Sequence, residues 1–224
     1  MLHKIVLNKK HTKLLVLLAA FAVITSIVGT KAFFTSSDTS TNTYVVGNVH
    51  AELLEPSWEG VNSFNLAPGQ VLDKDPQVEN TGTNQLFAFI MVSVPKREIY
   101  TYTPSTDGSS NNPRNDLAVT QLFILSEPNT GWTLIKTDTS DGSVNKYLYA
   151  YGSSTALTKV DAGAITNSVF DSIRYCYAVE GQGLDSEEEI NVKVNAYAIQ
   201  TENIGSSDTK EPLVIWNIIS DHLS

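Results

Sequence analysis

Apolar residues in this chain recur mainly at every second position, in short bursts divided by turn-forming residues, which is the signature of strands rather than helices. Thr43 to Leu54 reads as a first strand, with Val45, Gly47, Val49, Ala51 and Leu53 on one face, closed by Pro56 and Trp58–Gly60. Leu66-Ala67-Pro68-Gly69-Gln70 is a turn signal, because Pro fixes φ at one position and Gly accepts the positive φ that follows. Pro76 to Asn80 predicts a short strand running into a turn at Asn80–Asn84. Leu86 to Val94 is almost continuously apolar, as a central strand buried on both faces must be, and Pro95 is expected to end it. Thr103 to Asn115 is rich in Thr, Ser, Asp, Gly, Asn and Pro and reads as a long mobile loop.

Leu117 to Leu125 fits a short helix or a strand. Trp132 to Lys136 and Val144 to Tyr151 flank Asp141-Gly142 and read as a hairpin, with Trp132 and Leu134 sharing one face. Phe170 to Val179 and Ile190 to Gln200 alternate most clearly. In the second, Ile190, Val192, Val194, Ala196 and Ala198 form one face, and Asn191, Lys193, Asn195 and Tyr197 the other. Pro212 to Ile219 is an apolar helix or strand closing one end of the sheet. The whole predicts an all-β fold: an antiparallel, jelly-roll-like β-sandwich with long loops and a few short helices.

The N-terminus follows a different rule. Residues 14–28 (LLVLLAAFAVITSIV) are fifteen uncharged residues preceded by the lysine-bearing HKIVLNKKHTK, the layout of a secretory signal helix. The run is shorter than the roughly 20 residues that span a bilayer, and Thr30-Lys31-Ala32 supplies small residues for a cut between Ala32 and Phe33. Residues 1–32 are therefore expected to be a signal peptide, with a retained membrane anchor as the alternative, and 33–224 to be the β-domain.

Charge sharpens the division. The first 32 of the 224 residues hold five lysines and no acid; the other ten basic residues face all 24 acidic ones, a balance of −14. So acidic a body repels phosphate backbones, which disfavours nucleic acid and anionic lipid as partners, and leaves membrane contact to the signal segment alone. Cys176 is the single cysteine, so no disulfide forms within the chain and stability must come from packing.

Catalytic patterns are scarce. The body has two histidines, His50 and His222, and no HExxH pair. His50 with Glu52 and Glu55 is a weak metal candidate, set against a plain solvated strand face. Asp185–Glu189 and Asp138–Gly142 lack calcium-loop spacing and read as charged turns. Cys176 lies in Arg174-Tyr175-Cys176-Tyr177 with no base nominated beside it, so it reads as a buried structural thiol. No Gly-rich phosphate loop and no GxSxG elbow occurs. No catalytic residue, metal or cofactor is expected.

Several stretches resemble, in order, the TasA/camelysin family of Gram-positive exported proteins. Gly29-Thr30-Lys31-Ala32-Phe33-Phe34-Thr35 is similar to that family's export junction. Tyr44-Val45-Val46-Gly47-Asn48-Val49 occupies the place of the strand that follows it. Leu66-Ala67-Pro68-Gly69-Gln70 and Val78-Glu79-Asn80-Thr81-Gly82 look like its "LAPG…VxNTG" stretch, Ile190–Gln200 like its late strand, and Trp216 fits as well. The chain departs from the pattern in lacking an Asp after Phe34, in the Thr103–Asn115 insertion and in its Leu/Ile-rich tail. The resemblance implies cleavage by the dedicated signal peptidase SipW. It also implies secretion to the cell surface or biofilm matrix, and homopolymeric fibres, with a fibre-accessory protein as a further partner. In such fibres a freed N-terminal strand completes the sheet of the next subunit; here the candidate donor is Phe33 to Val46, including Phe34, Tyr44 and Val45. Two alternatives stand beside this one: a camelysin-like cell-surface metallopeptidase, and a membrane-tethered accessory protein.

Overall fold

Two long apolar runs, Leu86–Ile99 and Lys193–Gln200, pair side by side and organise everything else. The computed structural model describes residues 42–46, 48–58, 66–105, 113–182, 184, 190–202, 204 and 210–223. The expected signal segment, with Ala32, Phe33 and Phe34, lies outside the described residues. In chain order the strands are β1 (Asn42–Val46), β2 (Glu52–Leu54), β3 (Val71–Asp73), β4 (Gln77–Glu79), β5 (Leu86–Ile99) and β6 (Ala118–Gln121). They continue with β7 (Phe123–Leu125), β8 (Trp132–Asp138), β9 (Val144–Tyr151), β10 (Ser172–Tyr175) and β11 (Lys193–Gln200). A helix, α1 (Pro212–Leu223), ends the described chain.

The architecture is all-β and sandwich-like. A large sheet runs β1-β11-β5-β9-β8, and a second layer is made by β3-β10-β7 and the β2-β4 pair. Ala88, Ile90 and Val92 of β5 and Val194, Ala196 and Ala198 of β11 pack between the layers. They meet Leu53, Val78, Phe123, Ile173 and Tyr175 from the smaller sheets. The face expected from the alternation of Ile190, Val192, Val194, Ala196 and Ala198 is thus the core face.

The opposite face of the large sheet is buried too, by α1. Phe87, Phe89, Leu148, Tyr197 and Ile199 pack against Ile215, Trp216 and Ile219. This is why β5 had to read as apolar on both faces. The tail is a helix rather than a strand because its buried positions, Pro212, Ile215, Trp216 and Ile219, fall at helical spacing. Pro212 is well placed in the first turn, where no intrahelical N–H bond is lost. Each fully buried side chain of this size contributes about 1.5–3 kcal/mol, enough for three anchors to hold a helix of only twelve residues.

Four expectations are corrected or refined. First, Thr43–Leu54 is not one strand. It splits into β1 in the large sheet and β2 in the second layer. The Gly82 N–H and the Asn84 side-chain amide donate to the His50 and Asn48 carbonyls, and capture the chain between the two strands. Second, Pro95 does not end β5. The last β11 pair is Lys193↔Ser93, so the N–H that Pro95 lacks is not required by that neighbour, and β5 continues to pair with β6 through Lys96–Ile99. Third, Leu117–Leu125 forms β6 and β7, broken at Leu122, whose N–H donates to the Pro95 carbonyl. This break carries the chain from the side of β5 into the second layer. Fourth, the loop from Thr103 to Asn115 has an ordered stem: Tyr102 bridges Arg114, and the Thr103 hydroxyl lies 2.8 Å from the Asn115 amide oxygen.

The β8–β9 hairpin forms as expected, with a bulge between Leu134 and Lys136. The faces are as expected: Trp132 lies on the core face and Ile135 packs on the α1 side, while Leu134, ahead of the bulge and on the face of Trp132, is exposed on this marginal strand. The sandwich is also not purely antiparallel. β1 runs parallel to β11, and the rest of the domain, lying between them in the chain, supplies the long connection that a parallel pair needs.

Candidate functional site

The edge of the large sheet at β1 is where the sequence-predicted residues converge. Five backbone pairs, from Asn42↔Asn195 to Val46↔Ile199, hold β1 against β11. Tyr44 and Val46 point to the α1 side, where Val46 packs on the apolar cluster and the Tyr44 ring stacks on Tyr197 at 5.0 Å and 15°. Thr43 points inward, and its hydroxyl oxygen accepts from the Leu53 N–H at 3.2 Å. Tyr44 and Val45 remain 39% and 43% exposed. Among the described residues β1 pairs with β11 alone, which leaves its outer backbone groups as an edge.

The seat beneath Tyr44 is a relay of aromatic rings. Tyr197 meets Trp216 edge to face at 5.0 Å and 88°, and Trp216 meets Phe89 at 5.7 Å. Offset and perpendicular ring contacts of this kind are favourable beyond the area they bury. Burial, and then the neighbouring Tyr44, push the Tyr197 phenol above its usual pKa. Tyr197 was legible only as the polar-face member of the β11 alternation; nothing local in sequence announces its partnership with Tyr44.

At the far end of β1, the Asn48 N–H donates to the Gln200 side-chain oxygen at 3.2 Å. A polar cavity of about 430 Å³ opens there, lined by Asn48, Thr83, Asn84, Gln85, Gln200 and Glu202 among others.

The weighed chemical candidates are not brought together. His50 and Glu52 are exposed, with His50 ahead of β2, whereas the Glu55 carboxylate turns inward to Lys74, 2.6 Å away. Lys74 is only 1% exposed and sits 3.9 Å over the Trp58 ring. Burial drives its pKa below the usual lysine value, opposed by the attraction of Glu55. In the sequence Glu55 stands out only beside His50 and Glu52, and its pairing with Lys74 was missed. The carboxylates of Asp138 and Asp141 are taken up by Ser140 and Ser143 in their own turns, which lowers both pKa values. Cys176 is buried, and desolvation raises its thiol to about 11. Among the described residues no group of three or more His, Cys, Asp or Glu side chains could hold a metal ion. Asp185–Glu189 lie outside the described residues.

No family model and no curated protein matches this chain. Among solved structures, it is similar to the ASH/PapD-like domain of human CEP192 (PapD-like domain 7) at 9% identity. That match covers 67% of this chain and 83% of that one, with a TM-score of 0.21, too low to carry an argument.

Proposed function

We propose that this chain is an exported structural protein of the TasA/camelysin type, with a jelly-roll-like sandwich, that assembles with copies of itself by exchanging β1. The observation that carries this reading is the place of β1: a half-exposed margin strand, joined in parallel to β11 by five pairs and following directly on the resembling junction. A strand held this way can leave its own sheet and be replaced by the same strand of a neighbour, because the donors and acceptors of β11 are satisfied equally by either copy. The reading makes the protein secreted to the cell surface or matrix and non-catalytic, with SipW as its processing partner, and makes release of Phe33 by cleavage after Ala32 the step that permits exchange.

Electron microscopy of the chain cleaved after Ala32 tests this. Fibres are expected from the cleaved chain, and only folded monomers from a chain in which cleavage is blocked or Phe33–Asn42 is deleted. Fibres persisting in either variant, or a cleaved chain that remains monomeric at all concentrations, refute the reading.

A further inference from the structure

A backbone ladder does not choose its own alignment. A parallel strand slipped by two residues keeps its faces, and on β1 such a slip sets Asn42 or Val46, instead of Tyr44, opposite Tyr197. Val46 is apolar and would bury well enough, so general hydrophobicity also discriminates weakly. The Thr43–Leu53 hydrogen bond is a single neutral contact at 3.2 Å. What does change with a slip is the ring stack, since Tyr44 is the sole aromatic residue of β1 and its seat is fixed by Trp216 behind Tyr197.

We infer that Tyr44, stacked on Tyr197 and backed by Trp216, sets the register in which β1 joins β11, and that the strand this seat selects between molecules is segment 42–46 of a second copy. The second half rests on the exchange reading above; the first stands on the geometry alone. The helix α1 then has a role beyond covering the sheet. By wedging Trp216 against Tyr197 and Phe89 it keeps the Tyr197 ring turned to receive another ring. The seat therefore distinguishes an aromatic residue at the middle of the incoming strand from an aliphatic one, a specificity the ladder itself lacks.

Cysteine trapping tests both halves. Val45 and Ala198 are register partners, and neighbouring strand positions of this kind lie within disulfide reach. Val45→Cys is combined with Ala198→Cys for the observed register, or with Ala196→Cys for a two-residue slip. Each combination is made within one full-length chain and between two singly substituted chains, with and without cleavage after Ala32. Cys176 is left in place, and the otherwise unsubstituted chain serves as control. Linked species are counted by mass spectrometry.

The observed register should link on the order of tenfold more than the slipped one, near the upper end of what one aromatic pair contributes. Tyr44→Ala should bring the ratio toward one, and Tyr44→Phe should keep it. An in-chain ratio unmoved by Tyr44→Ala overturns the register role. Absence of any linkage between cleaved chains, with the in-chain ratio behaving as expected, overturns the second copy as partner and the exchange reading with it.

Discussion

Lys74 Nζ lies 2.6 Å from Glu55 Oε1, both side chains are withdrawn from solvent, and the ammonium faces the Trp58 ring. The pair ties the end of β2 to the stretch between β3 and β4. Removing one partner of such a pair strands a buried charge, a loss of about 3–5 kcal/mol, whereas replacing both with apolar residues is often neutral. Lys74→Met should therefore lower unfolding stability by about that amount, and Glu55→Leu with Lys74→Met should recover most of it. Denaturant titration of the two singles and the double checks this. The pH dependence has a definite sign. Because burial lowers the Lys74 pKa below 10.5, the unfolded chain binds that proton more tightly than the folded one. This residue's contribution to stability thus rises as pH climbs from the lowered value toward 10.5, and the double variant should lack that rise.

Tyrosines act in the opposite direction. Burial pushes Tyr149 and Tyr175 up to about 12. Below pH 10 both phenols are protonated in either state. Between 10 and 12 the unfolded chain gives up those protons and the folded chain holds them, so stability falls across that window. Tyr149→Phe should move the alkaline unfolding midpoint, followed by far-ultraviolet circular dichroism, to higher pH. An unmoved midpoint would count against burial as the cause.

Cys176 should be nearly inert while the chain is folded. A thiol at about 11 carries roughly one thiolate in a thousand at pH 8, and it is the thiolate that reacts. Labelling with a thiol reagent at pH 8 should be slow in buffer and fast in denaturant, with one equivalent incorporated. Rapid labelling of the native chain would mean that the β10 region opens readily.

Gly152 has a φ of 142°, and a Cβ placed there would run into the Ala156 carbonyl oxygen and lie 2.7 Å from Leu157 Cα. The backbone strain alone is of order 1–3 kcal/mol for any other residue, and the close approach adds to it. Gly152→Ala should lower the melting temperature markedly, and Gly142→Ala, with open space around the new methyl, should change it little. Differential scanning calorimetry of the two variants gives the comparison.

What the sequence announced was whatever depends on periodicity. The alternation from Ile190 to Gln200 named the core face of β11, and the unbroken apolar run from Leu86 named a strand covered on both sides. What it concealed depends on partners distant along the chain. Thr43–Leu54 alternates well enough to pass for one strand, and the break comes from Gly82 and Asn84 seizing the carbonyls of His50 and Asn48. Leu134 shares the face of Trp132 but not its burial, because β8 ends the described order of the large sheet and little covers it there. Of the candidate site, Tyr44, Val45 and Val46 were legible as strand residues, but Tyr197 and Trp216 as their seat were not, because aromatic stacking across a parallel pair leaves no local trace.

The two margins of the large sheet are unlike, and the bulge on β8 has a consequence of its own. At Leu134–Lys136 the extra residue spoils the even spacing of amides, and an exposed lysine stands on the same stretch. An incoming flat strand finds no continuous template there. Sheet-to-sheet accretion of the amyloid kind is thus disfavoured on that flank.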